Sequence, residues 1–499
     1  RPIQEIFASI EGGEVGGRER GMGVAAPESE IIRRLRAAPV SEEAGQLLRP
    51  MMGGLPEDIV STRLPKGRGA TEDPLTESLT VGYDEVLRPE GESTLEKNAA
   101  IISDWGNLST AAAYESYKPS SRATTPRQVA NRWMNHLADN LVFLYDTAPE
   151  VLRKRAVEWY NGANRIAGEI AEKEGVPLRA AAGTIAATSP QKDWYMNVAM
   201  AERIIDAFKN KLEGAGIPDA ALIETMDRIY AKPGKEAGYK AILLENTPSE
   251  IMAMPDMNQG AKESLIAMWI RAYDETYNPI EYRELSPEGE DLGPVLNQDG
   301  SPSKMAWTSS DAIAKAVSML MDPSIENVSV KLGNGHKVRN FYNNIIDPDS
   351  DRGDVTIDTH AVAAATLTPV SGNSIETAHN FGQTPKPAGT AKGASSNAAT
   401  GTNGMYPFYA EAYRRAAEQR GIQPREMQSV TWEAARSLFP QSWKSAANIG
   451  AVRDIWRDYK EGRISRPQAR RRVLNYAKGI PEPGWAGKPP AAGFDVAPE

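Results

Sequence analysis

Apolar positions divide the chain into a long N-terminal stretch without periodicity and a helical remainder. Residues 1 to about 120 are rich in Gly, Pro, Glu and Ser. Gly12–Gly17 and Leu64–Gly69 read as flexible linker, and Ile31–Ala38 suffices for one short helix, so this segment is expected to be largely irregular. From about Arg127 the apolar residues recur at helical spacing. Val129–Tyr145 places Trp133, Leu137, Leu141 and Leu144 on one face, and Pro149–Lys173 carries Val151, Ala156, Trp159, Ile166 and Ile170. Pro177–Thr188 is small and apolar almost all round, as suits a helix buried inside a bundle, and it ends at Ser189-Pro190-Gln191. Further helices are predicted over Trp194–Asn210, Asp219–Tyr230, Pro248–Met252, Gly260–Tyr273, Ser310–Met321, Tyr406–Arg420 and Glu426–Leu438. Asn278–Trp307 is polar with four prolines and reads as a surface insertion. Residues 369–404 read as a flexible low-complexity insertion, and the chain from Pro481 as an extended tail. No strand-rich segment and no internal repeat is visible. The expected fold is mainly α: a helical bundle over 121–368 and 405–480, behind an irregular N-terminal segment of residues 1–120.

Composition narrows the chemistry. The 499 residues leave room for two or three domains. The absence of cysteine excludes disulfides, zinc–thiolate sites and cysteine-held iron–sulfur clusters, and suits a reducing compartment. No apolar run approaches the roughly 18–20 residues of a membrane span, so no membrane partner is expected. A chain that begins with Arg1 rather than Met reads as a processed product or a piece of a longer protein. A net charge of −9 argues against loose binding to nucleic acid over the whole surface. A local basic face is still available: residues 444–478 hold ten Lys or Arg against three acids, with Arg470, Arg471 and Arg472 adjacent.

Candidate chemistry concentrates in two short segments. Lys331-Leu-Gly-Asn-Gly-His-Lys337 is a Gly-x-Gly turn followed by a lysine that opens an apolar-periodic helix (Val338, Phe341, Tyr342, Ile345). Two glycines, Gly333 and Gly335, let the backbone turn tightly and bring amides close to an anion. His336 and Arg339, beside the lysine, join them as candidate DNA contacts. Lys337 is either a solvated lysine at a helix start or, with its charge suppressed, a nucleophile. In Val355-Thr-Ile-Asp-Thr-His360, Asp358 heads the helix-like run Thr359–Thr366, as a cap, a catalytic carboxylate, or both. His336 and His360 suit supporting or surface roles, and Trp194 suits a core position.

Three segments, in order, resemble the helix-hairpin-helix DNA glycosylases, of which endonuclease III is the familiar member. Ala186-Ala-Thr-Ser-Pro-Gln191 followed by Asn197 resembles that family's "LSAQ…N" segment, Gly333-Asn-Gly-His-Lys337 its hairpin "GVGRK", and Thr356-Ile-Asp-Thr-His360 its "AVDTH". The resemblance covers about residues 130–365. It implies that Gln191 is delivered toward DNA at the lesion and that Gly333 and Gly335 contact a backbone phosphate. It also implies that Lys337 is the Schiff-base nucleophile and Asp358 the catalytic carboxylate. The chain departs from the pattern in having Asn334 between the glycines, Lys331 at an apolar hairpin position and an acidic loop between Lys337 and Asp358. It is also similar to tailed-phage proteins with an "SPQ…W…N" segment and an "HKVRxFYxNI" helix. By this resemblance the expected activity is N-glycosidic bond cleavage in DNA, with or without a lyase step. Its place would be the host cytoplasm or a phage virion, as part of a larger phage polypeptide.

Other readings stay open. The same pocket would serve a transferase that modifies a base, and the fold without the chemistry would serve a DNA-binding or virion component. The Arg470–Arg472 cluster is either a solvated face or a phosphate contact. Asp347, Asp349, Asp351 and Asp358 fall at positions 1, 3, 5 and 12 of a calcium-type loop, although its glycine is displaced by one position. No cofactor is expected.

Overall fold

The computed structural model describes residues 126–487, apart from Gln191, Pro233, 279–281, Gln298, 304–306, Asn334, Gly335, Asn373 and 381–405. The irregular segment expected over 1–120, the remainder of the low-complexity insertion and the last residues of the tail lie outside the described residues.

The described chain is mainly helical. In order it runs α1 (Pro126–Thr147), α2 (Glu150–Ala156), α3 (Trp159–Glu174), α4 (Leu178–Thr188), α5 (Trp194–Asp206), α6 (Ala220–Ile229), α7 (Lys235–Glu245), α8 (Pro248–Ala253) and α9 (Gln259–Tyr277). A two-stranded antiparallel hairpin follows, β1 (Arg283–Leu285) and β2 (Asp291–Pro294), with Leu285 opposite Asp291. Then come α10 (Ser310–Met321), α11 (Ile325–Leu332), α12 (His336–Ile346), α13 (Thr359–Thr366), α14 (Ile375–Asn380), α15 (Tyr406–Glu418), α16 (Pro424–Leu438), α17 (Ala446–Lys460) and α18 (Arg466–Tyr476).

Helix α4 is the hub of one half. Its alanines Ala180, Ala181, Ala182 and Ala186 are fully buried, and it packs against α3, α5, α10, α11 and α12. Small residues permit that many neighbours: a Cβ added at Gly183 would lie 2.8 Å from the Met319 sulfur on α10. A second core joins α5–α10 around Trp269, Leu265 and Ile313. The other half is built on α1, which packs against α13, α15 and α16 around Trp133, Leu141, Phe408 and Tyr413. Side-chain caps start several helices, among them Ser309 for α10, Ser324 for α11 and Ser465 for α18.

The structure departs from the sequence reading in four respects. The helix expected over Pro149–Lys173 is two helices, divided by a single tight step in which Glu158 N–H donates to the Arg155 carbonyl at 3.0 Å. Helices α7, α11, α17 and α18 are not among the helices the periodicity predicts. The insertion 278–307 is not merely superficial. The tip of its hairpin drives into the fold, where a Cβ at Gly162 would meet the Pro287 carbonyl oxygen at 2.2 Å. There Glu288 forms a two-pronged ion pair with Arg155 at 2.8 and 2.9 Å, both side chains being almost wholly buried. Finally, two stretches expected to be flexible or extended carry order. Helix α14 lies within 369–404, with Thr377 and Asn380 buried, and the tail forms a turn at Gly484–Gly487 whose Trp485 is buried. The Trp485 carbonyl accepts from Arg155 Nη1 at 2.9 Å.

Candidate active site

Lys337 and Asp358 line one cleft. The cleft lies where the two halves meet; its cavity volume is about 70 Å³, smaller than the roughly 300–1,000 Å³ usual for small-molecule sites. From the first half come Trp159, Tyr160, Trp194, Asn197, Lys337 and Phe341; from the second come Thr356, Asp358, Gln428 and Trp432.

Lys337 stands in the first turn of α12, just after the turn that begins at Gly333. Its Nζ donates to both the carbonyl and the hydroxyl of Ser189, each at 3.0 Å. Ser189 is the buried residue that closes α4, so the amine sits on the segment leading to Gln191. It also lies 5.7 Å above the Phe341 ring. Burial brings the Lys337 pKa down to about 8, against a smaller opposing pull from Asp358. That is the environment that makes a lysine available as a neutral amine.

Asp358 is carried by the extended segment Val355–Ile357, which one side chain fixes from beneath. The Tyr406 hydroxyl donates to the Val355 carbonyl at 2.6 Å and accepts from Ile357 N–H at 3.0 Å and Asn340 Nδ2 at 3.2 Å. Asn344 adds a bond to the Thr356 hydroxyl at 3.2 Å. Asp358 then caps α13, Oδ1 accepting from Ala361 N–H at 2.8 Å, while Oδ2 accepts from the Trp432 indole N–H at 3.0 Å. The carboxylate is thus at once a helix cap and a wall of the cleft. Tyr406→Phe keeps the ring and strips the segment of its anchor. It is expected to cost about 1–3 kcal/mol, read as a lower denaturant midpoint at unchanged slope.

The remaining walls are aromatic. Trp159 meets Trp432 edge-on at 6.1 Å and Trp194 at 6.5 Å, and Trp194 meets Phe341 at 6.0 Å. Arg436 lies 4.4 Å over the Trp432 ring. Lys444 lies within electrostatic reach of Asp358 and Arg436, and burial lowers its pKa. Burial likewise lowers the pKa of His360, which packs edge-on against Trp432 at 5.9 Å. Sequence reasoning did not single out Trp159, Trp432, Tyr160 or Gln428 as site residues, and it placed Trp194 in the core. Trp194 is 8% exposed and also faces the cleft.

The other predicted residues fall elsewhere. Gly333 has φ +63° and ends α11. Gln191 and Gly335 lie outside the described residues. Arg339 is buried and bonded inward, to the Gly333 carbonyl and to Ser329, whose carbonyl it meets at 2.7 Å, so its guanidinium braces the turn. His336 is buried and stacked on Tyr406 at 5.3 Å. Arg470 turns inward, donating to Asn140 at 2.8 Å beside Asp139, whereas Arg471 and Arg472 are exposed. These three sit on α18, in the half whose Trp456 holds the Leu367 carbonyl at the far end of α13 from Asp358. The calcium-type loop is not assembled. Among the described residues no three His, Asp or Glu side chains gather as metal ligands. Asp349 is largely exposed and faces Arg425 at 3.5 Å, and both Asp358 oxygens are taken as described above.

Residues 123–236 and 388–439 match the model of a family of unknown function, DUF7178. These ranges include Trp159, Trp194, Asn197, Gln428 and Trp432, while Lys337 and Asp358 fall between them. No curated protein matches the chain. No solved structure matches it.

Proposed function

We propose that the chain is a DNA glycosylase-like enzyme that takes a base, rotated out of the helix, into this cleft and breaks its N-glycosidic bond. The observation that carries the reading is the meeting of a half-buried lysine of lowered pKa and a carboxylate in one aromatic cleft, with the lysine seated on the Ser189 turn. A perturbed titratable group with a charge partner in a cleft marks a functional-site candidate. Extruding a nucleotide costs a few (~2–4) kcal/mol, and the aromatic walls offer the extruded base a surface to pack against.

In this reading the Lys337 amine adds its lone pair to the sugar C1′. The bond from C1′ to the base breaks, its electron pair leaves with the base, and the base takes up a proton. Asp358 accepts the proton shed by the attacking nitrogen and stabilises positive charge developing on the sugar. Ring opening, with the ring oxygen protonated, yields an imine that borohydride reduces to a stable adduct. Lys192, Arg436 and Lys444 give the cleft a cationic border for the flanking phosphates.

The test is base release from duplex and single-stranded oligonucleotides carrying uracil, oxidised or mismatched bases, together with adduct trapping. Because the neutral amine attacks, adduct yield should rise between pH 6.5 and 8.5, through the Lys337 pKa of about 8. A yield flat or falling over that interval contradicts the assignment of Lys337. Neither release nor adduct on any substrate would favour a base-modifying transferase or a non-catalytic DNA-binding role.

A further inference from the structure

Among the described residues, three that line the cleft carry a buried polar atom with no hydrogen-bond partner: Asn197 and Trp194 on α5, and Trp159 on α3. Asn197 is 3% exposed and its side-chain oxygen accepts no hydrogen bond; Trp194 is 8% exposed and its indole N–H donates none. Asn197 and Trp194 stand three residues apart in the first turn of α5 and line the same cleft. A buried unpaired acceptor and a buried unpaired donor on one helix face each carry a desolvation cost that packing does not recover. A ligand bearing the opposite pair recovers it.

We infer that Asn197 and Trp194 are specificity-determining residues that read a neutral nucleobase through an unsubstituted N–H beside a carbonyl, so the cleft selects bases with an intact hydrogen-bonding edge. The inference rests on the glycosylase reading for the word nucleobase, and on the two orphan atoms of α5 for the rest. The competing class is the cationic, ring-alkylated base, which aromatic walls attract by cation–π contact. Charge disfavours it here. Around the cleft, Lys192, Lys337, Arg436 and Lys444 outnumber Asp193, Asp358 and Glu433 among the described residues. An acceptor left unpaired by a ligand without the N–H is the kind of mismatch that discriminates strongly.

The cleft tryptophans supply a readout independent of catalysis. The intact chain is titrated with 1-methyluracil, with 1,3-dimethyluracil and with the 7,9-dimethylguanine cation, following tryptophan fluorescence. The expected result is tighter binding of 1-methyluracil, by about tenfold or more, than of either competitor. Asn197→Leu should bind the two uracils equally and melt no lower than wild type, since it replaces an unsatisfied buried group with an apolar one of similar size. Retained preference in that folded variant would mean that the second methyl is excluded by shape alone, and would overturn the inference. Trp194→Phe, the second variant, should weaken both uracils while keeping the preference between them. Equal binding by wild type, tighter binding of the cation, or no binding of any probe also overturns it. Lys337→Ala and Asp358→Asn should keep the preference. Failure of the glycosylase reading therefore appears as lost base release with the edge preference intact, and failure of this inference as the reverse.

Discussion

Asp358→Asn is expected to lower base release by about 10²–10⁴-fold while leaving the fold in place. The asymmetry follows from the two tasks of this side chain. Asparagine caps a helix as well as aspartate does, so Ala361 N–H keeps its acceptor. The amide has one oxygen instead of two, so with that oxygen on Ala361 N–H the bond from the Trp432 indole is lost, at a cost of about 1 kcal/mol. It cannot take the proton from the attacking nitrogen, and it carries no charge to face an oxocarbenium-like sugar. Asp358→Ala removes the cap as well and should cost a further ~0.5–2 kcal/mol. A merely structural aspartate would reverse this pattern: stability would follow the cap, and any activity would survive in the asparagine variant.

The largest expected effect on stability lies outside the cleft, at Arg155. Arg155→Met should destabilise the fold by about 3–5 kcal/mol, because it leaves the buried Glu288 carboxylate without its opposite charge. It also removes the bond to the Trp485 carbonyl and the stacking of the guanidinium 5.1 Å from that ring. Thermal unfolding should fall by on the order of 5–10 °C. The pair has an acid limit. Burial works to raise the Glu288 pKa, but the bonds from Arg155 and Ser286 outweigh it and leave it below the ordinary value. A carboxyl depressed in the folded state contributes stability above its unfolded pKa and loses that contribution as pH falls through the folded one. The gap between wild type and variant should therefore be full at pH 7 and narrow as pH falls below about 4.5 and on through the depressed folded value. A gap unchanged to pH 2, or absent at neutral pH, would show that the pair does not hold the hairpin tip.

Much of the helical framework was legible because burial writes a period into a helix. Val129–Tyr145, Pro177–Thr188 and Ser310–Met321 each lie within a residue or so of the observed helix or just inside it. What escaped was set by contacts distant in sequence. The step at Glu158 contains neither Gly nor Pro, and α7 begins beside Gly234 with Gly238 in its second turn, a weak local signal. Strands of three and four residues are too short to show alternation, and nothing near Glu288 announces that its partner is Arg155. At the site, the Gly-x-Gly-x-Lys and Ile-Asp-Thr-His segments pointed to Lys337 and Asp358, which the fold brings to one cleft. The aromatic wall was hidden for a physical reason. Trp159 keeps the helical spacing of a core residue, and Trp432 follows the buried Val430 and Thr431 on α16, so periodicity alone could not separate packing from lining. Arg339 shows the converse: a lysine-flanking arginine reads as a phosphate contact until its guanidinium is seen bracing the Gly333 turn.

The most direct test of the central claim, that Lys337 and Asp358 form one catalytic site on DNA, is borohydride trapping with wild type and Lys337→Ala on oligonucleotides carrying an abasic site or a modified base. A covalent protein–DNA adduct is expected with wild type and its loss in Lys337→Ala, with the variant still folded by its melting curve. An adduct of undiminished yield in Lys337→Ala would place the nucleophile elsewhere and contradict the assignment of this cleft.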